Sequence, residues 1–266
     1  MRNAGGASYN TKILETLIGK NIIEIDRVDS TNAWANVLYQ QKKVTDGDVI
    51  WAREQFAGRG QHDHTWESEP GKNLTFSIIL RPAFLPADQQ FLLNKAISLA
   101  AIDFLEVMLA GFPHPDLTIK WPNDLYIGLM KIGGILIEHK IMGMTLNTSV
   151  VGIGLNINQL IFSDSLPNPE SLIRLLKRET NLKVALAVVC RILDRRYQGL
   201  KSGRSSTLDL EFDRRLLGYR TWRTFKRDEM EFEGKTIGVN SLGQLMLELR
   251  SGEIKTLNHL EVDYVL

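Results

Sequence analysis

Apolar and polar positions along the chain group into short alternating runs, one long helical stretch, and alternating runs again. Ile22–Val28 alternates weakly and reads as a strand. Asp29, Ser30, Thr31 and Asn32 behind it are all residues that cap helices, which predicts a helix through about Lys42. Asp48–Arg53 reads as a short strand. Glu54 to Lys72 is dense in glycine and polar residues and is expected to be a long loop, which in a compact domain usually serves function. Asn73–Leu80 follows as an apolar strand, and Ala87–Leu109 as a helix apolar around most of its circumference and therefore buried. Leu117–Trp121, Leu125–Ile127, Ile132–His139 and Thr145–Ile157 are strand candidates; glycines 152 and 154 in the last mark a place where another group approaches the backbone closely. Two or three helices fill Pro169 to Leu217.

From Tyr219 to Leu266 the pattern changes to short alternating segments divided by Asn240–Gly243 and by Ser251-Gly252, the second a hairpin signal. Leu245, Leu247 and Leu249 point to one face of a strand. The pattern predicts an α+β domain over residues 1–218, with a mixed sheet and largely segregated helices, and a small β-barrel-like domain over 219–266.

Composition narrows the function classes. With 266 residues, 44% apolar and 24% charged, the chain reads as an ordinary globular protein. A net charge of +1 gives no electrostatic case for nucleic acid or an anionic membrane surface. The single cysteine, Cys190, excludes an internal disulfide and reads as a buried thiol in the apolar run Val184–Leu193. Met1–Asn10 lacks the apolar segment of a signal peptide, and the apolar stretch Phe91–Leu109 is interrupted by Asn94, Lys95, Asp103 and Glu106. A cytoplasmic protein with no membrane partner is expected.

Three segments carry candidate chemistry. In Gly58-Arg59-Gly60-Gln61-His62-Asp63-His64-Thr65-Trp66, glycines flank an arginine, so backbone amides and a guanidinium can converge on a carboxylate or phosphate. A flexible surface loop with a solvated arginine fits the same residues. Lys120-Trp121-Pro122-Asn123-Asp124 precedes Lys131-Ile132-Gly133-Gly134-Ile135-Leu136-Ile137-Glu138, where a lysine beside two glycines either projects into a cleft or simply enters a strand in solvent. Gly152-Ile153-Gly154-Leu155-Asn156-Ile157-Asn158 places Asn156 and Asn158 on the side of the glycines. These asparagines serve either a site or the local bonding of a strand end.

Together with Ser30-Thr31-Asn32 and Gln55, these segments resemble, in order and spacing, the biotin–protein ligases, in a form without an N-terminal DNA-binding domain. The resemblance is strong from Ile22 to Ile157 and looser beyond. It implies the class II synthetase-like biotin/lipoate ligase fold, followed by a C-terminal SH3-like barrel. It also implies a ligase that joins biotin to ATP as biotinyl-5′-AMP and transfers biotin to one lysine of a biotin carboxyl carrier protein or domain of a biotin-dependent carboxylase, working as monomer or homodimer. By the same resemblance, Ser30, Thr31, Asn32, Gln55, Gly58, Arg59, Gly60, Gln61, Lys131, Gly134 and Gly154 bind biotin. Trp66, Lys120, Asn123 and Asn156 face ATP or the adenylate, Asn156 is a ligand for Mg2+, and Lys131 with Arg59 is catalytic.

Two positions depart from the family, which often carries basic residues where this chain has Gln61 and His64; fewer fixed charges then face the phosphates. His62 and His64 read as exposed loop histidines, and without a cysteine or third histidine nearby they do not suggest zinc. The rival readings are a lipoate–protein ligase, a non-catalytic biotin-binding protein, and a transcriptional regulator. The last is disfavoured because only about twenty residues precede the first core strand, too few for a helix-turn-helix domain, so no specific DNA partner is expected.

Overall fold

The computed structural model describes residues 16–61, 65–203 and 207–266. His62, Asp63 and His64 lie outside the described residues. In chain order the elements are strand β1 (Ile22–Val28), helix α1 (Thr31–Gln40), β2 (Val49–Gln55), the short pair β3 (Gly58–Arg59) and β4 (Thr65–Trp66), β5 (Leu74–Leu80), α2 (Phe91–Leu109), β6 (Leu117–Lys120), β7 (Asp124–Ile127), β8 (Met130–Met142), β9 (Thr145–Leu155), α3 (Leu172–Leu176), α4 (Leu182–Lys201), α5 (Leu208–Arg215), and strands β10 (Trp222–Arg227), β11 (Met230–Val239), β12 (Leu245–Leu249), β13 (Ile254–Leu257) and β14 (Asp263–Tyr264). The first helix stops at Gln40, with Lys42 in the left-handed region at φ 56°. A 3-10 turn at Ala87–Gln89 precedes α2. The segment expected to be a plain loop, Glu54 to Lys72, instead contains the β3–β4 ribbon, paired Gly58 to Trp66 and Arg59 to Thr65.

Seven strands form one sheet in the order β1-β2-β5-β9-β8-β7-β6. Only β1–β2 is parallel, so the sheet is mixed, as the pattern predicts. Strand alternation divides its two faces. Val49, Trp51, Phe76, Ile78, Val151 and Ile153 point into the large core with α2 and α4, whereas Ile50, Ile79 and Val150 pack with Ala35 and Leu38 of α1. On the α1 face the alternate positions next to those apolar residues are small: Thr75 and Ser77 in β5, Gly152 and Gly154 in β9, Gly134 in β8. The middle of that face is therefore bare backbone, and a concavity forms there.

The C-terminal strands make a five-stranded antiparallel sheet in the order β13-β12-β11-β10-β14. Among the described residues no pairing joins β13 to β14, so the expected barrel is an open sheet with the strand content of an SH3-like unit. Leu245 and Leu247 are fully buried, on the face that their alternation predicts. They belong, with Phe225, Leu257, Val262 and Tyr264, to the same continuous core as α2 and the large sheet. Polar pins cross the junction: Trp121 Nε1 donates to the Gly243 carbonyl at 3.0 Å, and the buried Lys95 donates to Asp209 at 2.7 Å and to the Val239 carbonyl at 3.2 Å.

Candidate active site

The concavity on the α1 face begins at the helix N-terminus. Ser30 sits at the N-cap position with extended backbone but makes no side-chain capping bond, and Gln55 Oε1 accepts the Thr31 amide at 2.7 Å instead. Ser77, fully buried in β5, lies 2.7 Å from Thr31 Oγ1 and 2.6 Å from Asn32 Oδ1. Asn32 donates to Glu138 at 3.0 Å and to the Leu136 carbonyl. A methyl group at Gly152 would overlap Asn32, and one at Gly154 would overlap the Trp66 indole. The close approach expected at those two glycines is thus made by the protein's own side chains, which lie flat on the bare strand.

Across the sheet a single row of paired residues runs Lys120, Asp124, Gly134, Gly154 and Thr75. Asp124 Oδ1 takes the Lys131 ammonium at 2.8 Å. Lys131 is held at the start of β8 by its backbone as well: its amide donates to the Asn168 carbonyl and its carbonyl accepts from the Glu170 amide, each at 2.8 Å. Two chambers meet here. The first is walled by Ser30, Thr31, Asn32, Gln55, Arg59, Gly60, Asn123, Gly134, Leu136 and Gly152. The second is walled by Glu67, Lys120, Tyr126, Asn156, Phe162, Leu166, Pro167, Pro169 and Asp263. Thr65, Trp66, Asp124 and Lys131 line both.

The second chamber brings two lysines, Lys120 and Lys131, together with three carboxylates, Glu67, Asp124 and Asp263. Burial pushes the Lys120 ammonium below the usual lysine range; Asp124 and Asp263 oppose that shift, while Lys131 adds to it. Burial, with Asp124 nearby, pushes the Tyr126 hydroxyl up to about 12, so it is a neutral donor at physiological pH. Asn156 donates to the Glu170 carbonyl at 2.9 Å, yet its Oδ1 is buried and, like Trp66 Nε1, has no hydrogen-bond partner among the described residues. Buried polar atoms without partners are uncommon, and both of these belong to residues that wall the second chamber.

The sequence profile of the biotin/lipoate A/B protein ligase family matches residues 24–156, the stretch that carries the α1 N-terminus, the β3–β4 ribbon and the glycine-floored strands. The chain belongs to that family. Among curated family relatives, the bifunctional ligase/repressor BirA of Bacillus spizizenii is 29% identical over 241 residues, 89% of this chain and 72% of the relative. The biotin–[acetyl-CoA-carboxylase] ligase of Paracoccus denitrificans is 39% identical over 133 residues, 49% of this chain and 52% of the relative. The biotin protein ligase of Aquifex aeolicus, solved in complex with biotin and ATP, shares the fold with a TM-score of 0.75 at 23% identity, over 92% of this chain and 100% of that one.

Within this ligase-family fold, most of the residues singled out from sequence converge on the two chambers, but not all in the expected posture. Gly58 and Gln61 do not line the first chamber. Gly58 is needed because a side chain there would overlap the Trp66 carbonyl in the ribbon, and Gln61 faces a separate groove beside Trp121 and His259. Asn32 lines the first chamber, but its amide is committed to Glu138 and Ser77. Asn123 likewise borders the first chamber, not the second, and its amide nitrogen is committed to the Ile135 carbonyl. Trp66 walls both chambers.

Residues that sequence reasoning passed over include Ser77, Glu138, Asp124, Asp263 and the loop residues Phe162 to Pro169. Ser77 carries one signal, a hydroxyl that, with Thr75, interrupts the otherwise apolar run Leu74–Leu80. Glu138 and Asp124 stood inside the quoted motifs without a role. The 162–169 loop has no periodicity that would mark it.

Proposed function

We propose that the protein is an ATP-dependent biotin–protein ligase whose first chamber takes biotin and whose second takes ATP. The observation that carries this reading is the shared wall, where Lys131, Asp124 and Trp66 stand between a small amide- and hydroxyl-lined cradle and an apolar-sided chamber that Lys120 and Lys131 enter. In the cradle, the Ser30 and Thr31 hydroxyls and the Gln55 amide suit the donor and acceptor edges of a ureido ring. In the second chamber, Lys120 and Lys131 suit phosphates, and Phe162, Leu166 and Pro167 suit a base.

Biotin's carboxylate oxygen attacks the α-phosphorus of ATP, and pyrophosphate leaves. Lys131 offsets the repulsion between carboxylate and phosphate and holds the charge that gathers on the phosphoryl oxygens, with Arg59 reaching in from the ribbon. The amine of a carrier-protein lysine then attacks the acyl carbon of biotinyl-5′-AMP, loses its proton, and expels AMP. Trp66 and the ribbon cover the mixed anhydride against water.

The second chamber also fits Mg2+ held mainly by the phosphates. Asn156 Oδ1 is a buried hard oxygen with no partner, whereas no group of three or more His, Cys, Asp or Glu gathers among the described residues. Asn156 would hold the ion, which would neutralise phosphate charge.

On this reading residues 1–218 carry the chemistry, 219–266 cap the nucleotide side, and the carrier is a biotin carboxyl carrier protein or domain. Pyrophosphate release with ATP is expected to depend on biotin, and mass spectrometry is expected to show one biotin on a carrier lysine. Release driven by lipoate and indifferent to biotin would reassign the substrate. Biotin binding with no ATP turnover would leave a binding protein.

A further inference from the structure

Lys120 enters the second chamber from β6, and the groups around its ammonium come from both parts of the molecule. The rings of Tyr126 in β7 and Tyr264 in β14 lie with centroids 6.0 and 5.8 Å from Nζ. Asp263 of β14 lines the same chamber and attracts the ammonium, as Asp124 does from β7, while Lys131 of β8 repels it; Glu67, next to β4, is the remaining carboxylate of the lining. The position of β14 is fixed by the C-terminal core. Tyr264 pairs with Phe225 in register, their ring centroids are 4.9 Å apart, and the Val265 amide donates to the Thr224 carbonyl. Asp263 therefore reaches the chamber on a backbone set by the C-terminal sheet.

We infer that β14 is a positioning element of the nucleotide site, in which Asp263 and the Tyr264 ring hold the Lys120 ammonium aimed at the phosphates. The inference rests on the assignment of the second chamber to ATP. An ammonium taken out of water beside another cation tends to shed its proton and to swing toward solvent. A carboxylate and two ring faces offset both tendencies without entering the space that the phosphates need. Asp263 is in this sense a residue that acts through Lys120.

A double-mutant cycle on the full-length chain tests it. Wild type, Asp263→Asn, Lys120→Gln and the double variant are titrated calorimetrically with magnesium–ATP in the absence of biotin, and pyrophosphate release with biotin is measured separately. Asp263→Asn is expected to weaken ATP binding about twofold to fivefold, the size of a solvent-screened attraction between charges. It is expected to add nothing in the Lys120→Gln background and to leave the Kd of biotin unchanged.

Loss of the neighbouring anion lowers the ammonium pKa further, so the alkaline fall in ATP affinity should move to lower pH in Asp263→Asn and recover in Asp263→Glu. Equal weakening in the Lys120→Gln background would mean that Asp263 touches the nucleotide or serves only the fold, and would overturn the inference, as would no weakening at all. Undetectable ATP binding by wild type would overturn the chamber assignment with it. ATP binding without biotin-dependent pyrophosphate release would overturn the ligase reading alone.

Discussion

At Lys131 the backbone does as much as the side chain. Both of its peptide groups are hydrogen-bonded to the 168–170 segment, and its ammonium is anchored on Asp124, so the cation is fixed before any substrate arrives. Lys131→Ala is expected to fold normally and to lose about 10²–10³-fold in adenylation rate, the usual cost of one preorganised charge donor. Lys131→Arg should recover little, because a planar fork does not reproduce a point charge on the same stem. Pyrophosphate release at saturating biotin and ATP, with circular dichroism as the folding control, measures both; near-normal turnover in Lys131→Ala would end the catalytic assignment.

Gly154 yields a second test at this scale. An added methyl would overlap the Trp66 indole, so Gly154→Ala should displace the wall common to both chambers and weaken biotin and ATP together, by about tenfold or more, with little change in stability. Loss confined to one ligand, read by calorimetry, would place Trp66 on one side only. The close approach at Gly152 and Gly154 was legible in the sequence because its signal is local, whereas the local pattern left Lys131 open between a cleft and a solvated strand entry. The postures of Asn32 and Ser77 were not legible, because each depends on partners far along the chain: Asn32 bonds Glu138 across 106 residues and Ser77 across 45.

Among the elements, strands and helices with a clear period emerged close to their predicted bounds, whereas the ribbon β3–β4 did not. Two-residue strands leave no alternation to read, and the ribbon exists because Gly58 lets the Trp66 backbone come close. Helix α2 was legible as a buried helix, but Lys95 within it read only as an interruption. The structure turns that lysine into a pin. It is 2% exposed, bonded to Asp209 and the Val239 carbonyl, and lies 5.7 and 5.6 Å from the ring centroids of Phe91 and Phe212. Burial raises the pKa of neighbouring Asp213, whose carboxylate accepts the Val239 amide at 3.1 Å, and the Lys95 charge restrains that rise. Lys95→Met keeps the volume but strands the Val239 carbonyl and removes the restraint. It is expected to cost about 1–3 kcal/mol in urea unfolding, the range for a hydrogen bond to a charged group. An unchanged midpoint would reduce Lys95 to packing.

For the whole molecule, the pattern of the sequence suggests two domains, and the packing runs one core through both stretches. Phe225, Leu245, Leu247 and Tyr264 share one continuous core with α2, α4 and the large sheet, and no helix among the described residues is long and apolar enough to cross a membrane. Alternation along a strand shows that a face is buried but not what buries it, which is why the small β-barrel-like unit was legible in the sequence and its docking on the main body was not. A sheet whose inner face is completed by its neighbour has little core of its own to keep it folded alone. The chain is therefore expected to unfold in one transition by scanning calorimetry, with equal calorimetric and van't Hoff enthalpies. If ATP occupies the second chamber, as proposed, saturating ATP should raise that single midpoint, because the chamber is lined both by Lys120 of the main body and by Asp263 of the C-terminal sheet. Two separable transitions, with ATP moving only the first, would show instead that the C-terminal sheet folds independently and contributes nothing to nucleotide binding.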